Sequence, residues 1–128
     1  MSDNIALVNA FVDAWNRMDL DAVMGFLAPD VHYHNIPMDP VDGAEAVRAA
    51  LAPFVASATN IDWEMRHVAA AGDSVLTERV DRFWFGPLKV EVPVMGTFDI
   101  RGGKIVAWRD YFDLAQFQRQ MPAPDAGA

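Results

Sequence analysis

Arg79 and Asp81 stand two residues apart in the run Thr77-Glu78-Arg79-Val80-Asp81-Arg82-Phe83, which has the composition of a β-strand. Side chains alternate along a strand, so Thr77, Arg79, Asp81, Phe83 and Phe85 share one face, and Glu78, Val80, Arg82 and Trp84 share the other. One face therefore sets a guanidinium and a carboxylate among aromatic residues, on a surface expected to turn toward the core. Ionised groups are costly there unless they are paired. A second run, Trp108-Arg109-Asp110-Tyr111-Phe112-Asp113, places another carboxylate in an aromatic strand. The planar fork of one guanidinium can serve two carboxylates, so Asp110 on a neighbouring strand can meet Arg79 as well. Desolvation raises a carboxyl pKa and a neighbouring arginine lowers it. Unequal shares of the two influences leave one aspartate protonated and the other ionised, which is what acid–base catalysis requires. The plain alternative is a structural ion-pair network, which perturbs pKa values just as well.

Tyr33 and Asn35 alternate onto one face of the short run Val31-His32-Tyr33-His34-Asn35. A phenol and an amide each combine donor and acceptor capacity, so the pair can orient a water toward Asp110. Taken alone they read as a core tyrosine and as the start of the turn before Pro37. His32 and His34 share the opposite face, but a third metal ligand is missing from the local sequence, and solvated histidines are the better reading. Arg109 and Asp113 fall on the far face or past the strand end, which predicts surface or interface positions.

Positioning these groups calls for a framework of helices followed by strands. Ile5, Leu7, Val8, Phe11, Val12 and Trp15 form an apolar stripe at helical spacing, predicting a helix from about Asn4 to Arg17 with Ser2 or Asp3 as cap. A second helix is expected over Leu20 to Leu27, capped by Asp19 and ended by Pro29. The Tyr33 strand follows, from Val31 to Asn35, then a loop from Ile36 to Asp42 and a third helix from Gly43 to Val55. Four strands are predicted over Asp62–Ala70, Ser74–Phe85, Lys89–Arg101 and Lys104–Tyr111. Their short connections, Ala71-Gly72-Asp73, Gly86-Pro87 and Gly102-Gly103, carry hairpin turn residues. Leu114 to Gln120 reads as a last helical turn. Helices first and long antiparallel strands afterwards make an α+β plan. Three amphipathic helices across one face of a curved sheet would enclose an apolar pocket. Trp63, Met65, Phe83, Phe85, Val92, Val94, Met95, Phe98 and Ile100 supply its walls and the core, with Met38 and Leu114 as candidate gates.

The bulk properties fit one domain, expected over residues 1–121, with a small, Pro-rich tail at 122–128 expected to be disordered. The chain has 128 residues, 52% hydrophobic and 22% charged, with a formal net charge of −8. That charge argues against nucleic acid and anionic membrane as partners. Without cysteine, disulfides and thiolate chemistry are excluded. The N-terminus has no basic leader segment, and no apolar run approaches the roughly 18 residues of a membrane span, which predicts a cytoplasmic protein.

Tyr33-x-Asn35, Glu78-Arg79-Val80-Asp81 and Trp108-Arg109-Asp110-Tyr111-Phe112-Asp113 together closely resemble the limonene-1,2-epoxide hydrolases, members of the nuclear-transport-factor-2-like (NTF2-like, SnoaL-like) superfamily. The order of elements agrees from about Ile5 to Phe117. The resemblance implies a cone-shaped α+β fold, with three N-terminal helices packed on a strongly curved mixed β-sheet. It also implies an Asp81–Arg79–Asp110 triad with Tyr33 and Asn35 holding a water, Asp81 as acid and Asp110 as base; the residues alone leave that order open. The implied reaction is addition of water to a lipophilic cyclic or terpene epoxide, giving a vicinal diol without a covalent intermediate or a cofactor. A homodimer formed through the outer face of the sheet is expected, with Trp84, Val80 or Trp108 in the contact. Two other readings remain on the same fold: a ketosteroid-isomerase-like proton shuttle, and a ligand-binding domain without catalysis. The arginine between two acids favours the hydrolase, because a guanidinium already committed to two carboxylates offers little to an enolate.

Overall fold

The structure is a computed structural model and describes residues 2–122. The expected tail at 122–128 thus lies outside the described residues from 123 onward. In chain order the elements are α1 (Ser2–Asn16), α2 (Leu20–Gly25), β1 (Leu27–Asn35), β2 (Val41–Asp42), α3 (Ala44–Ser57), β3 (Asn60–Ala71), β4 (Ser74–Phe85), β5 (Leu88–Arg101), β6 (Lys104–Tyr111) and α4 (Leu114–Gln120). The strands form one six-stranded sheet in the order β2-β1-β6-β5-β4-β3. β1 runs parallel to β6 and the other neighbours are antiparallel, so the sheet is mixed. It is curved, and the arrangement is α+β.

The helices form where the apolar stripes predict. Val8, Phe11, Val12 and Trp15 of α1 and Val47 and Leu51 of α3 are buried against the sheet in the main core. The Asp19 side chain caps α2 by accepting a hydrogen bond from the Ala22 amide at 3.0 Å. α1 begins at Ser2, so Asp3 sits in the first turn instead of flanking it, where its charge still suits the helix dipole. α2 stops at Gly25 and β1 starts at Leu27, four residues earlier than the Pro29 breaker suggests. The strand accommodates Pro29 because the β1–β6 register shifts between Leu27 and His32, where a missing amide donor costs no ladder bond. The β5–β6 hairpin turns on Gly102 and Gly103, both with positive φ (58° and 74°), a backbone that L side chains resist.

Two side chains face the opposite way from expectation. Trp108 is only 1% exposed and packs in the core, so it is not available to an outer dimer contact; Met95 is 52% exposed and is not a core residue. Both follow from the two-residue period. Asp110 and Trp108 share a parity on β6, and Val94 and Gly96, which face inward, put Met95 outside.

The free edge of the first half of β5 is closed by α4. β6 pairs with β5 only from Met95 onward. Before that point the Gln120 side chain stands in for a strand: its amide donates to the Glu91 carbonyl and its oxygen accepts from the Glu91 amide, both at 2.8 Å. The Asp113 side chain caps α4, accepting from the Gln116 amide at 3.2 Å. These contacts hold Phe112 and Phe117 over Val90, Val92 and Val94. Among the described residues no helix is long and apolar enough to cross a membrane.

Candidate active site

The site is built on one row that crosses four strands. Thr77 on β4 is the register partner of Gly96 on β5, Gly96 is the partner of Asp110 on β6, and Asp110 is the partner of Asn35 on β1. Arg79 lies one inward position further along β4, and Asp81 lies beyond it. β4 and β6 are not neighbours. With strands spaced 4.7–4.9 Å, the Arg79 side chain has to reach across β5, a span of roughly 10 Å from strand to strand.

The reach succeeds at Gly96. A Cβ there would stand 2.3 Å from Arg79 Nη1 and 2.4 Å from Asp110 Oδ1, so the glycine leaves the slot in which the two side chains meet. Arg79 then uses every donor it has. Nε and Nη2 grip Asp81 at 2.9 and 2.8 Å. Nη1 and Nη2 grip Asp110 at 3.2 and 3.1 Å. The remaining Nη1 hydrogen goes to Thr77 Oγ1 at 3.2 Å. A guanidinium has five N–H bonds, and here all five are accounted for. Its flat face lies 4.3 Å from the centre of the Trp63 ring, a cation–π contact.

Burial makes these contacts consequential, for Arg79, Asp81 and Asp110 are 1%, 4% and 5% exposed. Burial pushes the Asp81 carboxyl up to about 6, against the charge and hydrogen bonds of Arg79 and with help from the negative charge of Asp110. For Arg79 burial works against the cation, but the two carboxylates outweigh it and hold the pKa above the usual arginine range. Burial and then the charge of Asp110 lift the Tyr33 phenol above its ordinary range. Tyr33 is therefore a proton-bearing donor at any ordinary pH.

A cavity of about 380 Å³ opens in front of the carboxylates. Asp81, Asp110, Tyr33 and Asn35 all line it; Arg79 stands behind the two aspartates and does not. The lone pairs that the arginine leaves free on the carboxylates are thus those on the cavity side. Tyr33 stacks on Trp108 with ring centres 4.3 Å apart. Its oxygen accepts from Asn35 Nδ2 at 2.7 Å, and no described side chain takes its own proton. The rest of the wall is mostly apolar, including Leu51, Phe54 and Phe83. Met38 stands at the rim; the C-terminal segment contributes Phe112 and Phe117 in place of Leu114.

Four of the five predicted site residues line one cavity, and the fifth, Arg79, bridges two of them from behind. The other singled-out polar residues lie elsewhere. His32 pairs with Asp42 at 2.6 Å and His34 with the Met38 carbonyl at 2.8 Å, both on the opposite side of β1. Arg109 pairs with Asp99 at 3.0 Å on the outer face. Among the described residues, no group of three or more His, Asp or Glu is placed to hold a metal. Trp63 lines the cavity as expected of a wall residue, whereas the parts played by Thr77 and Gly96 are not among the sequence expectations. Glycine inside a strand is itself a signal of close backbone approach, and Gly96 carried that signal.

The curved mixed sheet with its helices on one face defines the protein class, an NTF2-like or SnoaL-like α+β cone. A SnoaL-like polyketide cyclase candidate from Shewanella denitrificans shares this fold at a TM-score of 0.81 and 13% identity, covering 91% of this chain and 95% of that one. The family model for the limonene-1,2-epoxide hydrolase catalytic domain matches residues 2–123, and the chain belongs to that family. A relative from Mycobacterium tuberculosis, epoxide hydrolase EphG, is 35% identical over 107 residues, 84% of this chain and 71% of that protein. A solved structure of an LEH-like epoxide hydrolase from the same organism superposes at a TM-score of 0.84 with 31% identity, covering 93% of this chain and 89% of that one.

Proposed function

We propose that this protein is a cofactor-independent epoxide hydrolase that adds water to a lipophilic cyclic or terpene-like epoxide and releases the vicinal diol. The observation that carries this reading is the pair of buried carboxylates, each held two-pronged by one guanidinium and each fronting the same apolar cavity. Membership of the epoxide hydrolase family supports it.

In the proposed step Asp81 is the acid, because burial keeps its proton available near neutral pH. Asp110 is the base. A water held by Tyr33, Asn35 and Asp110 attacks one ring carbon. Asp110 takes a proton from that water as the C–O bond breaks, and Asp81 gives its proton to the epoxide oxygen. The pair of carboxyls holds one proton before and after the step, and Arg79 stays cationic. The cluster is therefore neutral throughout, so the reaction does not strand a charge in a buried site. Return of the proton from Asp110 to Asp81 closes the cycle. In this step both carboxylates serve in proton transfer through their cavity-side lone pairs, and the attacking nucleophile is the water.

The decisive experiment is a single turnover of a cyclic epoxide in ¹⁸O-water with enzyme in excess, followed by chromatography of the diol. Label in the first-turnover diol is expected. Label entering a peptide that contains Asp81 or Asp110 would refute direct attack, and an absence of diol across a panel of cyclic epoxides would refute the assignment. We further propose a homodimer through the outer sheet face, where Val80 pairs with Pro93 and exposed Met95 lies beside exposed Tyr111. Sedimentation at micromolar concentration should give twice the chain mass; a monomer would remove this claim.

A further inference from the structure

The triad contains an arginine that must be aimed at two carboxylates on different strands, and something has to fix that aim. Four of its five N–H bonds go to the carboxylates themselves, which can slide along the fork. The fifth goes to Thr77 Oγ1. That hydroxyl is polarised in one direction only. It donates to the Gly96 carbonyl at 3.0 Å, so its lone pairs are what remain for Arg79. Thr77 is 1% exposed, and water does not compete for either bond. Its partner in the row, Gly96, supplies both the carbonyl that orients the hydroxyl and the empty Cβ position through which Arg79 meets Asp110.

We propose that Thr77 and Gly96 are the positioning pair of the active site: together they fix the rotation and depth of the Arg79 guanidinium, and through it the separation of the two aspartates. Neither lines the cavity, so neither touches substrate. The inference rests on the epoxide hydrolase reading for its kinetic test and on geometry alone for its spectroscopic one.

Thr77→Val keeps the branched shape and removes the acceptor. It leaves one buried guanidinium N–H unpaired, and kcat should fall about tenfold while KM stays within about twofold. Thr77→Ser restores the hydroxyl and should return kcat to within about twofold of the parent, whereas a packing role for the methyl group would leave Ser no better than Val. Thr77→Ala replaces Thr77→Val should the latter fail to fold. Gly96→Ala should cost about 10²-fold or more in kcat, since displacing a reacting group by an ångström has that effect. Nitrogen-15 NMR of the Arg79 side chain supplies the independent readout: separate, slowly exchanging η N–H signals in the parent and in Thr77→Ser, broadened ones in Thr77→Val. Wild-type kcat in Thr77→Val, failure of Ser to rescue, or unchanged Arg79 signals would each overturn the proposal. A parent protein that opens no epoxide would sink the functional reading instead, and the NMR comparison would still decide the positioning role.

Discussion

β4 carries two arginines three residues apart, and they build the same kind of cluster on opposite faces of the sheet. Arg79 points inward and joins Asp81 and Asp110. Arg82 points outward and joins Asp62, Glu64 and Glu91. The connectivity is alike and the consequence is opposite. On the inner face burial dominates and lifts Asp81 to about 6. On the outer face the hydrogen bond from Arg82 dominates, and Glu91 is held below the usual glutamate range. An arginine between acids is therefore not a catalytic signature. Removal of water raises the Asp81 carboxyl in one such cluster, and in the other the hydrogen bond from Arg82 keeps Glu91 low.

Exchanging the two arginines for alanine gives the largest separation. Arg79→Ala should abolish measurable turnover and cost about 3–5 kcal/mol of stability, because it leaves two buried carboxyls without their partner. Arg82→Ala should leave kcat unchanged and shift the denaturation midpoint little. Urea melts and diol assays on the two variants make the test; equal losses would erase the distinction.

The carboxylates come next. Asp81→Asn and Asp110→Asn should each lower kcat by at least about 10²-fold, the low end of general acid–base contributions. Glu91→Gln should stay within about twofold of the parent. A fall in the Glu91 variant as deep as in the other two would mean that the outer cluster shapes the site.

pH should separate the clusters by sign. The proposed acid must be protonated, so kcat/KM should decline as pH rises through about 6, tenfold per unit at the limit. The folded pKa of Asp81 is raised, so its stabilising contribution is complete below its ordinary value of 3.8 and is lost as pH rises through about 6. Glu91 is lowered; its contribution is present above its ordinary value of 4.5 and is lost as pH falls through the lowered one. Melting curves across this range for Asp81→Asn and Glu91→Gln should therefore differ from the parent at opposite ends. The same sign in both would refute the contrast.

Among Asp81, Arg79, Asp110 and Tyr33, the smallest effect is expected at Tyr33→Phe, about tenfold or less in kcat, since Asn35 and Asp110 still hold the water. A loss equal to that of Asp110→Asn would make the phenol a proton-transfer group in its own right.

Much of this was legible in the chain because the relevant rules are local. A two-residue period put Thr77, Arg79, Asp81 and Phe83 on one face of β4, and Tyr33 and Asn35 on one face of β1. Apolar spacing marked α1 and α3, and turn residues marked the three hairpins. The same period, applied to β6, also decides that Trp108 must accompany Asp110 inward, and its expected place on a dimer face contradicted that rule. Strand order is a different matter. Nothing within β4, β5 or β6 says that Asp110 stands two strands from Arg79 with Gly96 between them, since that depends on pairings between distant segments. Nor does composition say which arginine cluster loses its water. Desolvation belongs to the assembled core, to Trp63, Trp108 and the helices packed over them, and it sets the raised Asp81 on the inner face apart from the lowered Glu91 on the outer one.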